Sequence, residues 1–296
     1  MKENKIWNDY LPEDMQEHWT VYECLKESED SSTFLVKETA TGILCVLKWG
    51  RNRQAEFLRN EMEIMEKMAD RKLSGIPKAY RIFEENGEVY LVREYIEGMS
   101  LAQMVLQKGG ISEAEICRIS RKICQTAEQF QNPDEPMIHR DIKPENIVVT
   151  PGGEVVFIDF GTMRSYKKDG SRDTFVVGTR GTAAPEQYGY TQTDQRTDVY
   201  AIGQTMLYMV SESYEMNQLS ECAVSRRMKK IIEKACSFEP DKRYGDAAQL
   251  RRAVEKCQAN NRKKVYKKAG AVFGLIAAGY ICLLYTSDAA DDLTRV

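Results

Sequence analysis

His139-Arg140-Asp141-Ile142-Lys143-Pro144-Glu145-Asn146 is the stretch on which the reading of this chain turns. Its spacing puts one carboxylate, Asp141, one ammonium, Lys143, and one amide, Asn146, on a short loop. Phosphoryl transfer to a hydroxyl calls for these groups: an acceptor for the hydroxyl proton, a cation for the moving phosphate and a ligand for a metal ion. A plain turn between two strands is the competing reading, because Pro and Asp are both frequent in turns.

The flanking sequence separates the two. Ile147-Val148-Val149 and Val155-Val156-Phe157-Ile158 read as short buried strands joined by a turn at Pro151-Gly152-Gly153. Asp159-Phe160-Gly161 follows, which places Asp159 at a strand end. Upstream, Cys45-Val46-Leu47-Lys48 reads as a strand ending in a lysine. Residues 54–68 carry Phe57, Met62, Ile64, Met65 and Met68 at helical spacing, with Glu61 in the same segment. Downstream come Ala184-Pro185-Glu186, then Thr197-Asp198-Val199-Tyr200-Ala201-Ile202-Gly203, then Pro240-Asp241-Lys242-Arg243-Tyr244. In this order the motifs resemble those of a eukaryotic-type protein kinase, and most closely the bacterial (Hanks-type) serine/threonine group. The resemblance runs over residues 19 to 257.

The resemblance implies an α+β, two-lobed fold. A β-rich small lobe with one helix (19–93) leads through a hinge (94–98) to a larger, mainly helical lobe (99–257), behind an N-terminal extension (1–18). It implies ATP and Mg²⁺ as cofactors, with Mn²⁺ as an alternative metal, and protein Ser/Thr hydroxyls as acceptors. Asp141 would take the hydroxyl proton and Lys143 would neutralise the moving phosphate. Asn146 and Asp159 would hold the metal. Lys48, paired with Glu61, would orient the phosphates. Leu25 and the backbone at Glu94 and Ile96 would meet the adenine. Structural parts fall to His139, packed on Phe160; to Asp198, accepting backbone bonds from the catalytic loop; and to a buried Glu186–Arg243 ion pair. Thr179 would bond Asp141 and Lys143. Residues 162–183 form the activation segment. Autophosphorylation is expected there at Ser171 or Thr174, in trans within a homodimer, with Arg140 docking the phosphate.

Three departures fall on one pocket. The loop that is normally glycine-rich reads Leu25-Lys26-Glu27-Ser28-Glu29-Asp30-Ser31-Ser32-Thr33 and has no glycine. Without glycine the backbone approaches phosphates less closely, and Glu27, Glu29 and Asp30 would repel them by about 1 kcal/mol each. Weaker nucleotide binding, or a loop that folds back, is expected, and restoring glycine at Lys26, Ser28 and Ser31 should tighten ATP. Val46 replaces a small alanine over the adenine. Arg93 stands at the gatekeeper position, usually apolar, and must snorkel or find a carboxylate. These departures keep a second function open: a scaffold or nucleotide sensor with little or no phosphoryl transfer. A small-molecule phosphotransferase is disfavoured by Ala184-Pro185-Glu186 and Thr179, which build a shelf for a peptide.

Composition agrees with one catalytic unit in a chain of 296 residues. A net charge of −3 leaves no footprint for nucleic acid. The eight cysteines contain no C-x-x-C pair and read as core residues in a reducing compartment. Met1 to Asp14 is polar and acidic, unlike a signal peptide.

Beyond residue 257 the character changes. A basic linker (258–268) precedes an uncharged run at 269–285, whose seventeen residues would reach about 25 Å as a helix. This reads as a C-terminal transmembrane helix contacting the lipid bilayer, which would place the chain in the cell membrane as a single-pass protein with its catalytic unit cytoplasmic. An ordinary buried helix is the alternative. Residues 282–291 resemble a translated sequencing-library adapter, so the native sequence is expected to end near 281 and 282–296 to be foreign.

Overall fold

The computed structural model describes residues 11–132, 135–166, 178–179, 181–189 and 192–260. Within them the chain forms two lobes. The small lobe is an antiparallel five-stranded sheet of β1 (Trp19–Glu27), β2 (Ser31–Glu38), β3 (Leu44–Gly50), β4 (Ala79–Glu85) and β5 (Glu88–Glu94), in the order β1-β2-β3-β5-β4. Strand alternation divides its residues between two faces. Phe34, Val36, Cys45, Leu47, Tyr90 and Val92 form one apolar cluster. Val46 and Lys48 alternate with Cys45 and Leu47, and pair across the ladder with Arg93 and Leu91.

Helix α1 (Glu13–Gln16) precedes the sheet and lies on the apolar cluster, with Leu11, Met15 and Trp19 at most 5% exposed. Burying each such side chain is worth about 1.5–3 kcal/mol, so residues 11–18 belong to the packing of the small lobe. Helix α2 (Arg53–Asp70) covers the other face. Its first half sets Ala55 and Leu58 against Val89 and Leu91. Its second half sends Ile64, Met65 and Met68 into the core of the large lobe. One helix therefore ties the two lobes at the cleft.

The large lobe begins with β6 (Met99–Ser100) and α3 (Leu101–Lys108), whose Ser100 and Gln103 form a reciprocal cap. Helix α4 (Glu113–Phe130) starts at Ser112, whose hydroxyl accepts from the Glu115 N–H. Its stripe of Ile116, Ile119, Ile123, Ala127 and Phe130 is fully buried. Then follow β7 (Met137–Ile138), β8 (Ile147–Val149), β9 (Val155–Phe157) and β10 (Arg164–Ser165). β8 and β9 pair antiparallel across a turn in which Gly153 takes φ +75°. Helices α5 (Gln195–Ser211), α6 (Arg226–Ala235) and α7 (247–260) complete the lobe. α5 is buried on nearly every side, and a Cβ at Gly203 would lie 2.7 Å from Ala235, the last residue of α6, and from Cys236, which caps it.

No helix among the described residues is long and apolar enough to cross a membrane. The run 269–285, the adapter-like tail, Ser171 and Thr174 lie outside the described residues. The seven described cysteines are free thiols.

Candidate active site

The catalytic loop is held from below by α5. The Asp198 carboxylate, fully buried, accepts the backbone N–H groups of His139 and Arg140, each at 3.0 Å. To present them Arg140 adopts φ +67°, a left-handed conformation that costs a non-glycine residue energy. Its carbonyl is fixed in turn by Gln187 Nε2 at 2.8 Å, and its Nε donates to the Thr162 carbonyl at 2.7 Å. Gln187 had no motif to announce it; its role depends on the fold bringing the Ala184-Pro185-Glu186 turn against the loop.

So positioned, Asp141 is surrounded by donors. Thr179 Oγ1 donates to Oδ1 at 2.7 Å, while Asn146 Nδ2 at 2.9 Å and Lys143 Nζ at 2.8 Å meet Oδ2. Lys143 also donates to Thr179 Oγ1 at 2.6 Å. Both Asn146 amide hydrogens go to Asp141, one to its backbone carbonyl at 3.1 Å, which leaves Asn146 Oδ1 as an acceptor for a cation.

Across the cleft, Lys48 Nζ donates to both Glu61 oxygens at 2.8 Å and stands 3.6 Å from Asp159. Glu61 is 1% exposed; burial pushes its carboxyl above the ordinary value, against the pull of Lys48. Protein packed around Asp159 disfavours its charge, but Lys48 and the Gly161 amide more than offset this and hold its pKa below the usual value. Asn60, one position before Glu61, anchors the following turn by donating to the Gly161 and Met163 carbonyls at 2.9 and 2.8 Å. Among the described residues no cluster of three or more His, Cys, Asp or Glu side chains suits a metal. The open carboxylate of Asp159 and the amide oxygen of Asn146 fit Mg²⁺, which takes few protein ligands and completes its shell with water and phosphate oxygens.

His139 is 1% exposed, ringed by Phe130, Phe157 and Phe160 at centroid distances of 6.1, 5.3 and 5.4 Å. Neither ring nitrogen has a hydrogen-bond partner among the described residues, and burial lowers its pKa to about 4. The imidazole is neutral at pH 7 and is not among the residues that line the cleft. Unfolding returns it to an ordinary pKa of about 6.5, so between these values the unfolded chain binds more protons. Stability is therefore lost as pH falls through that window, by roughly 3 kcal/mol. Denaturant melts from pH 7 to 4 should show a shallower loss for His139→Leu; parallel curves would refute this.

The glycine-less loop keeps Lys26, Ser31, Ser32 and Thr33 on the cleft, but its acidic tip folds back. β1 and β2 close tightly: Ser28 N–H donates to the Ser31 carbonyl at 2.8 Å, and the Ser28 hydroxyl bonds the same oxygen at 2.9 Å. Asp30 turns away, accepting from Arg51 Nε at 2.8 Å and Asn52 Nδ2 at 3.1 Å, while Arg51 Nη2 donates to the Glu29 carbonyl. None of Glu27, Glu29 and Asp30 lines the 390 Å³ cleft. The hairpin tip thus folds back, one of the two outcomes expected from its sequence, because Arg51 and Asn52 at the β3–α2 junction donate to Asp30.

Arg93 is 4% exposed, and desolvation lowers its pKa against the attraction of Glu61, Asp159 and Glu94. Its Nη1 donates to the Glu94 carbonyl at 3.0 Å, and its Nε has no hydrogen-bond partner among the described residues. It does not snorkel to water, and among the described residues it forms no direct ion pair. Leu25, at an irregularity in the β1–β2 register, is 47% exposed. Leu25, Glu94 and Ile96, the residues expected at the adenine, do not line the cleft, which opens on the side of Lys48, Asp141 and Asp159.

Farther down, Arg243 and Glu186 form a bidentate pair at 2.7 and 2.9 Å, at most 4% exposed. The remaining guanidinium hydrogens reach the Ser237, Arg196 and Phe238 carbonyls, and Thr197 Oγ1 donates to Glu186.

A two-lobed fold with a Lys–Glu pair above an Asp–Lys–Asn loop defines the protein kinase class. The protein kinase domain family matches residues 20–264, and the chain belongs to that family. It is 29% identical to serine/threonine-protein kinase D of Synechocystis sp. over 218 residues, 67% of this chain and 42% of that protein. It is 29% identical to serine/threonine-protein kinase B of the same organism over 61% of this chain and 34% of that protein. It is 30% identical to serine/threonine-protein kinase PknB of Mycolicibacterium smegmatis over 61% of this chain and 32% of that protein. The chain thus spans less than half the length of these relatives.

Proposed function

We propose that this chain transfers the γ-phosphoryl group of ATP to Ser and Thr hydroxyls of proteins, its own activation segment included. The observation that carries the reading is the Asp141 carboxylate, held by Thr179, Asn146 and Lys143 in a cleft facing the Lys48–Glu61 pair. As the substrate oxygen bonds to phosphorus and the bond to the leaving ADP oxygen breaks, the hydroxyl proton passes to Asp141. Lys143 neutralises charge on the moving group. Lys48, fixed by Glu61, orients the phosphates. Bound Mg²⁺ neutralises phosphate oxygens at Asn146 and Asp159. Catalysis on this reading is positioning and charge stabilisation. The test is labelled phosphate from Mg-ATP appearing on Ser or Thr of the full chain, with Asp141→Asn as control.

One observation favours the scaffold reading: Arg93 engages the Glu94 carbonyl, an acceptor that an adenine amino group would use. Arg93→Met would free that carbonyl. One regained hydrogen bond should tighten Mg-ATP about tenfold, measured by titration calorimetry. Unchanged affinity would show that Arg93 does not obstruct the base.

A further inference from the structure

We propose that Lys26 and Arg53 clamp the polyphosphate of the nucleotide, replacing the backbone cradle that the glycine-less hairpin cannot form. This deepens the reading above and rests on it for the place of the nucleotide. The register carries the argument. Lys26 pairs with Thr33, and Thr33 pairs with Lys48 on the next strand. Cross-strand partners point to the same face of a sheet, so Lys26 shares a face with the lysine that meets the phosphates. The register shift between Cys24 and Lys26 is what brings it there, because Cys24 lies with the cluster on the opposite face.

Both Lys26 and Arg53 line the cleft with Lys48 and Lys143, giving four cations against the carboxylates of Glu61, Asp141 and Asp159. Arg53 opens α2, its guanidinium 5.2 Å from the Phe57 ring centre. Arg53 shares the first turn of α2 with Glu56 and adds a second cation to the lining that holds Lys26. Of the turn's carboxylates, Asp30 is held aside by Arg51 and Asn52.

The sign of one substitution decides the matter. Lys26→Gly returns a glycine to the hairpin, yet it should weaken Mg-ATP about fivefold through the lost charge. Titration calorimetry on the full chain would compare Mg-ATP, Mg-ADP and adenosine. Lys26→Gln and Arg53→Ala should also weaken ATP, Lys26→Arg should retain it, and adenosine should be unaffected throughout. Lys26→Gln separates loss of charge from added backbone freedom, and matching melting curves establish that each variant is folded. The proposal is overturned if Lys26→Gly tightens ATP or leaves it unchanged, if adenosine weakens in parallel, or if the unaltered chain binds no Mg-ATP. Should these affinity changes appear in a chain that transfers no phosphate, the clamp is supported and the transferase reading alone fails.

Discussion

Asp141→Asn is expected to lower phosphoryl transfer by about a thousandfold, within the range for loss of a positioned general base. The asparagine amide cannot take a proton at neutral pH. It also places an N–H₂ group where the carboxylate accepts from Thr179, Asn146 and Lys143, so one of these donors loses its acceptor. Lys48, Glu61 and Asp159 lie across the cleft and are not touched by the change. Mg-ATP affinity should therefore stay within about twofold, since the phosphate-orienting groups are intact. Labelled phosphate on the chain, followed over time at fixed Mg-ATP, reads the first quantity; calorimetry reads the second. Equal incorporation by the two proteins, or none in either despite nucleotide binding, would sink the transferase reading.

Arg243→Ala should have the largest effect on stability, about 3–5 kcal/mol, because it strands the buried Glu186 carboxylate. It also leaves the Ser237, Arg196 and Phe238 carbonyls short of a donor, and opens space beneath Tyr200, whose ring centre lies 4.8 Å from the guanidinium. For a domain of this size the loss corresponds to a fall in Tm of roughly 10 °C or more. The double change Glu186→Leu with Arg243→Met should recover much of it, because an apolar pair needs no charge compensation. A melting temperature within about 2 °C of the unaltered chain after Arg243→Ala would show that the pair contributes little.

The two predictions differ in how visible their residues are in the sequence. Asp141, Lys143 and Asn146 sit within six positions on one loop, and their order is itself a chemical statement. Asp159 follows on the next short hairpin, whose strands and turn were readable from their apolar runs and glycines. Helices α2 and α4 were readable because their apolar residues recur at helical spacing and, for α4, because Ser112 marks the start. Glu186 and Arg243 are 57 residues apart, and only the resemblance to a family joined them before the fold did.

Other parts of the site had no local signal. Gln187 and Asn60 each hold a backbone carbonyl of a remote segment, a role with no periodicity or spacing to betray it. The hairpin tip looked hazardous as a run of carboxylates, but Arg51 and Asn52, more than twenty positions away, draw Asp30 aside. Arg93 looked like a charge in search of water or a carboxylate, and the folded chain instead sets it against the Glu94 carbonyl.

By itself the amino-acid order determined the chemistry available to this protein, because a proton acceptor, a cation and a metal ligand on one short loop need few long-range contacts to be recognised. Tertiary structure decided where the remaining charges act. Side-chain direction in a strand has a period of two, so a shift of one residue in register moves a side chain to the other face. That shift between Cys24 and Lys26 puts a lysine into the cleft, and no count of residues along β1 alone could have placed it there.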